Sequence, residues 1–217
     1  MRVEDSLKQL LQDVRDALEG AVALVSGRDI AALDRLFAPG RWPAAGLHGL
    51  ERRDAAGALH RRGPGRAALD AARHALAAIV ARHPGVLLED KGLSLAVHYR
   101  AVPDLESALR REVQAVITDL GPEYHLLEGK CVLEIKPAAA TKADAVRSFM
   151  TEAPFAGRRP IYVGDDVTDL DGFAAVESAG GLSVAVGDRV LAQARVASPR
   201  DVRSLLADLA DGRSPQP

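Results

Sequence analysis

The chain has 217 residues, 47% of them hydrophobic and 27% charged, which is enough for one large domain or a core with a smaller insert. A net charge of −2 argues against a nucleic-acid surface, and 4% aromatic content leaves the core to Ala, Leu and Val. The single cysteine, Cys131, excludes an intrachain disulfide and a Cys-based zinc site, and it is expected in an apolar strand.

The amino-terminal MRVEDSLKQLLQDV is amphipathic and charged, unlike a signal peptide, and no window reaches the roughly 18 apolar residues of a membrane span. A cytoplasmic protein, probed by neither membrane nor nucleic acid and monomeric, is the expectation. Leu7, Leu10, Leu11, Val14 and Leu18 recur at helical spacing up to Gly20. The apolar run AVALV, 21–25, predicts a strand buried on both faces of a parallel sheet. A helix over 29–37 stops at Pro39-Gly40. A strand over 44–47 and a polar hairpin around 54–57 follow, and the basic run 60–66 is expected to be a solvated loop.

From about 64 to 133 the texture changes. A helix over 66–82 leads to the strands VLLEDK and LSLAVHYR, parted by Gly92, and a helix over 104–120 leads to YHLLE and KCVLEI, with Gly129 at their turn. This α-β-β-α-β-β order predicts an inserted antiparallel module with helices on one face. The β-α alternation then returns: a helix over 142–150, the strand IYVG, a helix over 169–178, GLSVAVG, a short strand near ARVA and a helix over 202–209. The fold class expected is α/β, with a parallel-sheet core formed by 1–60 and 136–217 and an α+β antiparallel insert at 61–135. The tail RSPQP is expected to fray.

Three features carry chemistry. In YVGDDVTDLDGF a buried strand delivers Asp165, Asp166 and Asp169 at its carboxyl edge, where ligands gather in α/β sheets. Crowded carboxylates of this kind suit Mg²⁺, although a solvated acidic turn capping the next helix would read the same way. In LVSGRD, Ser26 ends a strand, and Gly27 with Arg28 leads into a helix whose free N–H groups suit a phosphate; a simple turn and cap is the plainer alternative. Lys142 begins a helix after PAAAT and could neutralise a phosphate or carboxylate, or be an ordinary surface charge. Together the three are the parts of a magnesium-dependent phosphoryl-transfer site.

These elements resemble motifs two, three and four of phosphatases of the haloacid dehalogenase superfamily. The strings LVSGR, GLHGLERR, EDKGLSLAVHYR, LEIKP with Lys142, and FMTEAPFAGRRPIYVGDDVTDLDGF resemble trehalose-6-phosphate phosphatases in particular. The resemblance implies hydrolysis of trehalose 6-phosphate through an aspartyl phosphate, with Ser26 on the phosphoryl group, Lys142 stabilising its charge, and Asp165 on Mg²⁺ with Asp166 and Asp169 as direct or indirect partners. It implies that the inserted module is a cap over the sugar, with Gly27, Arg28, His48, Glu51, Lys91, Glu134 and Lys136 as substrate contacts. His98 is expected to be a packed, hydrogen-bonded histidine. A non-catalytic sugar-phosphate-binding module, or a phosphatase of sucrose or mannosyl phosphates, stands as the alternative.

Three positions depart from the family's pattern. Ala143 replaces the glycine usual after the motif-three lysine, and Leu170 stands at a commonly acidic position. No D-x-D precedes Ser26, whereas the family begins with an apolar strand ending in D-x-D-G-T, whose first Asp attacks phosphorus and whose second protonates the leaving group. The D-x-D-G of residues 169–172 belongs to motif four. Without that strand the core is expected to lack its central member, to leave two apolar strand edges open, and to be inactive.

Overall fold

The computed structural model describes residues 3–64 and 66–213. It divides into two compact units, one of Met1–Arg61 with Thr141–Pro217 and one of Arg62–Ala140. The inserted unit therefore keeps residues 136–140, because Lys136 and Pro137 still pair within its last strand.

The first unit opens with α1 (Asp5–Ala17), which buries Leu11 and Val14. β1 (Leu24–Val25) is only two residues long, shorter than the run 21–25 suggests. It pairs in parallel with β2 (Ala44–Gly46), after α2 (Ile30–Phe37), whose first turn is capped by the Asp29 side chain. β3 (Glu51–Arg53) and β4 (Leu59–Arg61) complete this sheet in the order β1-β2-β3-β4, with the polar hairpin at 54–57 between them.

The inserted unit runs α3 (Asp70–Arg82), β5 (Leu87–Asp90), β6 (Leu95–His98), α4 (Glu106–Leu120), β7 (Tyr124–Gly129) and β8 (Val132–Pro137). Its antiparallel sheet has the order β5-β6-β8-β7. Period-two alternation sends Leu95, Val97, Leu133 and Ile135 into one cluster with Leu76 of α3 and Leu109 and Val113 of α4. Cys131 lies in the turn between β7 and β8, not in a strand. Its φ is +58°, and it packs half-buried against that cluster.

Returning to the first unit, α5 (Lys142–Met150) starts at a capping box made by Thr141 and Asp144. β9 (Ile161–Gly164), α6 (Leu170–Ser178), β10 (Leu182–Val186) and β11 (Ala194–Val196) follow, and the three strands form a parallel sheet, β11-β10-β9. α7 (Pro199–Ala210) begins three residues earlier than apolar spacing suggests, since Ser198 caps it and Pro199 occupies its first turn. Of the tail, residues 214–217 lie outside the described residues, and Arg213 is ion-paired with Asp208 and Asp211 at 2.7 Å.

The parallel strands of this unit do not join into one sheet. β1 ends one sheet and β9 ends the other. Both edges line a cavity of about 1020 Å³, together with Leu7, Leu11 and Val14 of α1 and Val202 and Leu206 of α7. Leu24 and Ser26 donate to Pro43 and Ala45 at 2.9 Å, so strand alternation turns the Val25 amide away from β2. That is where the resemblance puts a central strand. Among the described residues no helix is long and apolar enough to cross a membrane.

Candidate active site

Three loops of the first unit meet through backbone contacts that only small residues permit. The Ser26 hydroxyl accepts the Arg28 amide at 3.1 Å, closing a tight turn after β1. The residues Leu47 to Gly49 all have positive φ, +50°, +57° and +102°, and His48 among them is a non-glycine held in the left-handed region. Such backbone persists only where its surroundings hold it. Here the His48 amide donates to the Ser26 carbonyl at 3.0 Å and the Leu47 amide to the Arg28 carbonyl at 3.0 Å.

The glycines in these strings are spacers. A Cβ on Gly27 would lie 2.6 Å from His48 Nε2, so the imidazole rests on the turn that carries Ser26. A Cβ on Gly49 would lie 2.2 Å from the Thr141 carbonyl oxygen, at the cap of the helix that begins with Lys142. Glu51 is buried, and its carboxylate accepts the Ile30 amide at the start of α2, doing the work of a helix cap. Its neighbours are clamps. Arg52 grips Glu152 bidentately at 2.8 and 2.7 Å, and Arg53 grips Asp34 at 2.8 and 2.6 Å.

Lys142 is 6% exposed and donates to Asp169 Oδ1 at 2.6 Å. Tyr162 of β9 donates to the same oxygen at 2.9 Å. Asp169 Oδ2 accepts the backbone amides of Asp165 and Asp166 at 3.1 and 3.0 Å. Burial pushes the Asp169 carboxyl up, but the Lys142 charge and these hydrogen bonds outweigh it and hold the group below the usual carboxylate range. Burial, and then the Asp169 carboxylate, pushes the Tyr162 phenol far above its ordinary value, so it stays a donor.

The three aspartates thus differ. Asp169 is buried and fully engaged. Asp166 caps the turn at 167–169 and pairs with Arg189 at 2.8 Å. Asp165 is exposed, and its carboxylate makes no hydrogen bond or ion pair among the described residues. No group of three or more His, Cys, Asp or Glu side chains among the described residues is arranged to hold a metal ion. The donor set therefore offers one open carboxylate at the end of a parallel strand, which suits a hard cation that keeps most of its waters and takes phosphate oxygens.

In the inserted unit Glu134 is 4% exposed, accepting Lys91 Nζ at 2.7 Å and the Ser94 hydroxyl at 2.6 Å. Lys136, two residues on and so on the same face of β8, donates to the Ala140 carbonyl at 2.7 Å. His98 pairs with Glu89 at 2.8 Å across β5 and β6, so it is hydrogen-bonded as expected, but its side chain is 38% exposed and not packed.

The structure brings Ser26, Gly27, Arg28, His48, Glu51, Lys142, Asp165, Asp166 and Asp169 to the strand ends and adjoining loops of one unit, and in the other it places Glu134 and Lys136 on β8 with Lys91 just past the end of β5. Residues that the sequence did not single out are Tyr162, Arg189 and Ser94. Tyr162 had one visible signal, a hydroxyl-bearing aromatic in an otherwise apolar strand next to the acidic string. Arg189 and Ser94 had none.

A family model described as trehalose-phosphatase matches residues 1–206. A trehalose-6-phosphate phosphatase of Escherichia coli is 45% identical over 206 residues, covering 94% of this chain and 77% of that protein. A probable trehalose-phosphate phosphatase of Sinorhizobium fredii is 42% identical over 211 residues, covering 96% and 79%. Among solved structures, the C-terminal domain of a Candida albicans trehalose-6-phosphate phosphatase superposes with a TM-score of 0.81 at 21% identity, covering 98% of this chain and 85% of that one, a likeness of fold.

Proposed function

The chain belongs to the trehalose-phosphatase family, and from that premise we propose that it serves the hydrolysis of trehalose 6-phosphate to trehalose and phosphate. The observation that carries the proposal is the buried Lys142–Asp169 pair at 2.6 Å, set beside the open carboxylate of Asp165 at the end of β9. A cationic donor and an unengaged acidic ligand side by side are what a phosphoryl group with its cation requires.

Each residue then has a physical task. Lys142, oriented by Asp169, faces the negative charge of the transferring phosphoryl group. The Ser26 hydroxyl and the Gly27 amide donate to the phosphoryl oxygens, the Ser26 and Arg28 amides being already engaged. Asp165 would hold Mg²⁺, which supplies charge neutralisation on the phosphate when bound. Asp166 and Asp169, already engaged by Arg189 and by Lys142, support that carboxylate from behind. The nucleophile of the family is the first Asp of a D-x-D-G-T strand: its carboxylate takes the phosphoryl group as the bond to the sugar oxygen breaks, the second Asp protonates that oxygen, and water then cleaves the aspartyl phosphate. Lys91, Glu134 and Lys136 meet the sugar hydroxyls, with charged donors and acceptors suited to them. The net charge of −2 disfavours a nucleic-acid partner, and among the described residues no helix is long and apolar enough to cross a membrane.

The test joins a D-x-D-G-T strand in frame ahead of the chain and follows phosphate release from trehalose 6-phosphate. Magnesium-dependent release, abolished in Asp165→Asn, is expected, because the substitution keeps the shape and removes the charge that holds the ion. A near-unchanged rate and metal dependence in Asp165→Asn would mean that the acidic cluster is only a helix cap.

A further inference from the structure

We propose that Tyr162 is a positioning residue of the phosphate site: its hydroxyl locks the Asp169 carboxylate, and through it both the Lys142 ammonium and the amides of Asp165 and Asp166. The use of this lock in catalysis rests on the function proposed above, whereas the lock itself rests on the geometry.

A carboxylate offers about four lone-pair sites, and Asp169 fills four. Oδ1 takes Lys142 and Tyr162 at 2.6 and 2.9 Å, and Oδ2 takes the Asp165 and Asp166 amides at 3.1 and 3.0 Å. The two oxygens therefore do different work, one holding side chains and the other fixing the backbone that carries Asp165. The two amides hold Oδ2, and Lys142 by itself cannot define where Oδ1 lies, because an ammonium on four methylenes follows its acceptor. The phenol can, being rigid and fixed in its strand.

The chain makes room for this ring and this carboxylate. A Cβ at Gly172 would come within 2.7 Å of the Tyr162 ring, and one at Gly164 within 2.5 Å of Asp169 Cγ. Phe173 meets the Tyr162 ring edge-on, with centroids 5.6 Å apart and an interplanar angle of 83°. The two glycines of G-D-D-V-T-D-L-D-G thus clear space for the two partners of one hydrogen bond. A phenylalanine would fill the same volume of β9, and tyrosine adds only a hydroxyl whose burial is costly unless it is paired. The position is built around that one donor.

The experiment compares the chain with Tyr162→Phe by nuclear magnetic resonance, without substrate or metal, so that failure of the proposed function would leave the readings unaffected. In the native chain the Asp165 and Asp166 amides should exchange slowly and the Lys142 ammonium should give a resolved ¹⁵N signal. In Tyr162→Phe both amides should exchange about tenfold faster, the factor one ordinary hydrogen bond supplies, and the ammonium signal should broaden away. The amides of Val184 and Ala185 in β10 should keep their rates. Unchanged exchange at Asp165 and Asp166 with an unchanged ammonium signal overturns the proposal. Should Tyr162→Phe fail to fold, the native chain in mixed H₂O and D₂O decides: two Tyr162 Cζ lines mark a hydroxyl locked in its hydrogen bond, and a single averaged line overturns the lock.

Discussion

The unit of residues 62–140 gathers its apolar side chains into one cluster under a continuous four-stranded sheet, while the unit of 1–61 and 141–217 divides its own among three clusters and two sheets. Yet each unit holds the same device, a buried carboxylate gripped by a lysine and a hydroxyl: Asp169 with Lys142 and Tyr162, Glu134 with Lys91 and Ser94. Like polar networks thus sit in unlike packing, so the network is set by the strands and loops that meet at the carboxylate and not by how the apolar side chains around it are divided. Both networks join side chains far apart in sequence, 27 residues for Lys142 with Asp169 and 40 for Ser94 with Glu134.

The largest effect that could break this comparison is loss of one charge from each network. Asp169→Asn leaves Lys142 buried without a counter-charge and should cost the first unit about 3–5 kcal/mol. Glu134→Gln should cost the inserted unit less, about 1.5–3 kcal/mol, because the Lys91 side chain, 13% exposed against 7% for Lys142, can reach water. Unit-resolved hydrogen exchange in denaturant measures both, and equal losses would show that the two networks are energetically alike. A smaller contrast sharpens the packing difference. Leu133→Ala, fully buried in the single cluster, should cost about 2–5 kcal/mol. Leu24→Ala, half-buried beside the cavity, should cost about 1 kcal/mol, since little packing is lost where little exists. Equal costs would mean that the cavity is closed in solution.

The smallest expected difference is in acid. The carboxyls of Asp169 and Asp34 in the first unit are held low, Asp34 chiefly by the Arg53 hydrogen bond. A carboxyl lowered in the folded state gives stability that is fully present above its unfolded value, about 3.9, and is lost as pH falls through the lowered folded value. Glu112 of the inserted unit is also held low, by His83 first, but its pairing is more exposed than that of Asp169 with Lys142 and so more screened. Below about pH 4 the amides of the first unit should therefore lose protection before those of the inserted unit. The reverse order would locate the acid-labile pairs in the insert.

Elements whose signals are local are legible before the chain folds. The loop PAAAT announces the start of α5 and so the station of Lys142, the period of α1 announces Leu11 and Val14, and alternation in VLLEDK and LSLAVHYR announces one buried face. The family strings are likewise legible along the chain, from LVSGR to GDDVTD. Only the tertiary structure decided which of the three aspartates is buried, because that depends on Lys142, which stands 27 residues before Asp169. The same holds for Glu51 as the cap of a helix 21 residues earlier, for Arg52 clamping Glu152 a hundred residues on, and for His48 resting on Gly27. A propensity acts over a few bonds. The partner that fills a lone pair is chosen by whichever loop the fold brings within 3 Å, and no window of sequence contains that distance.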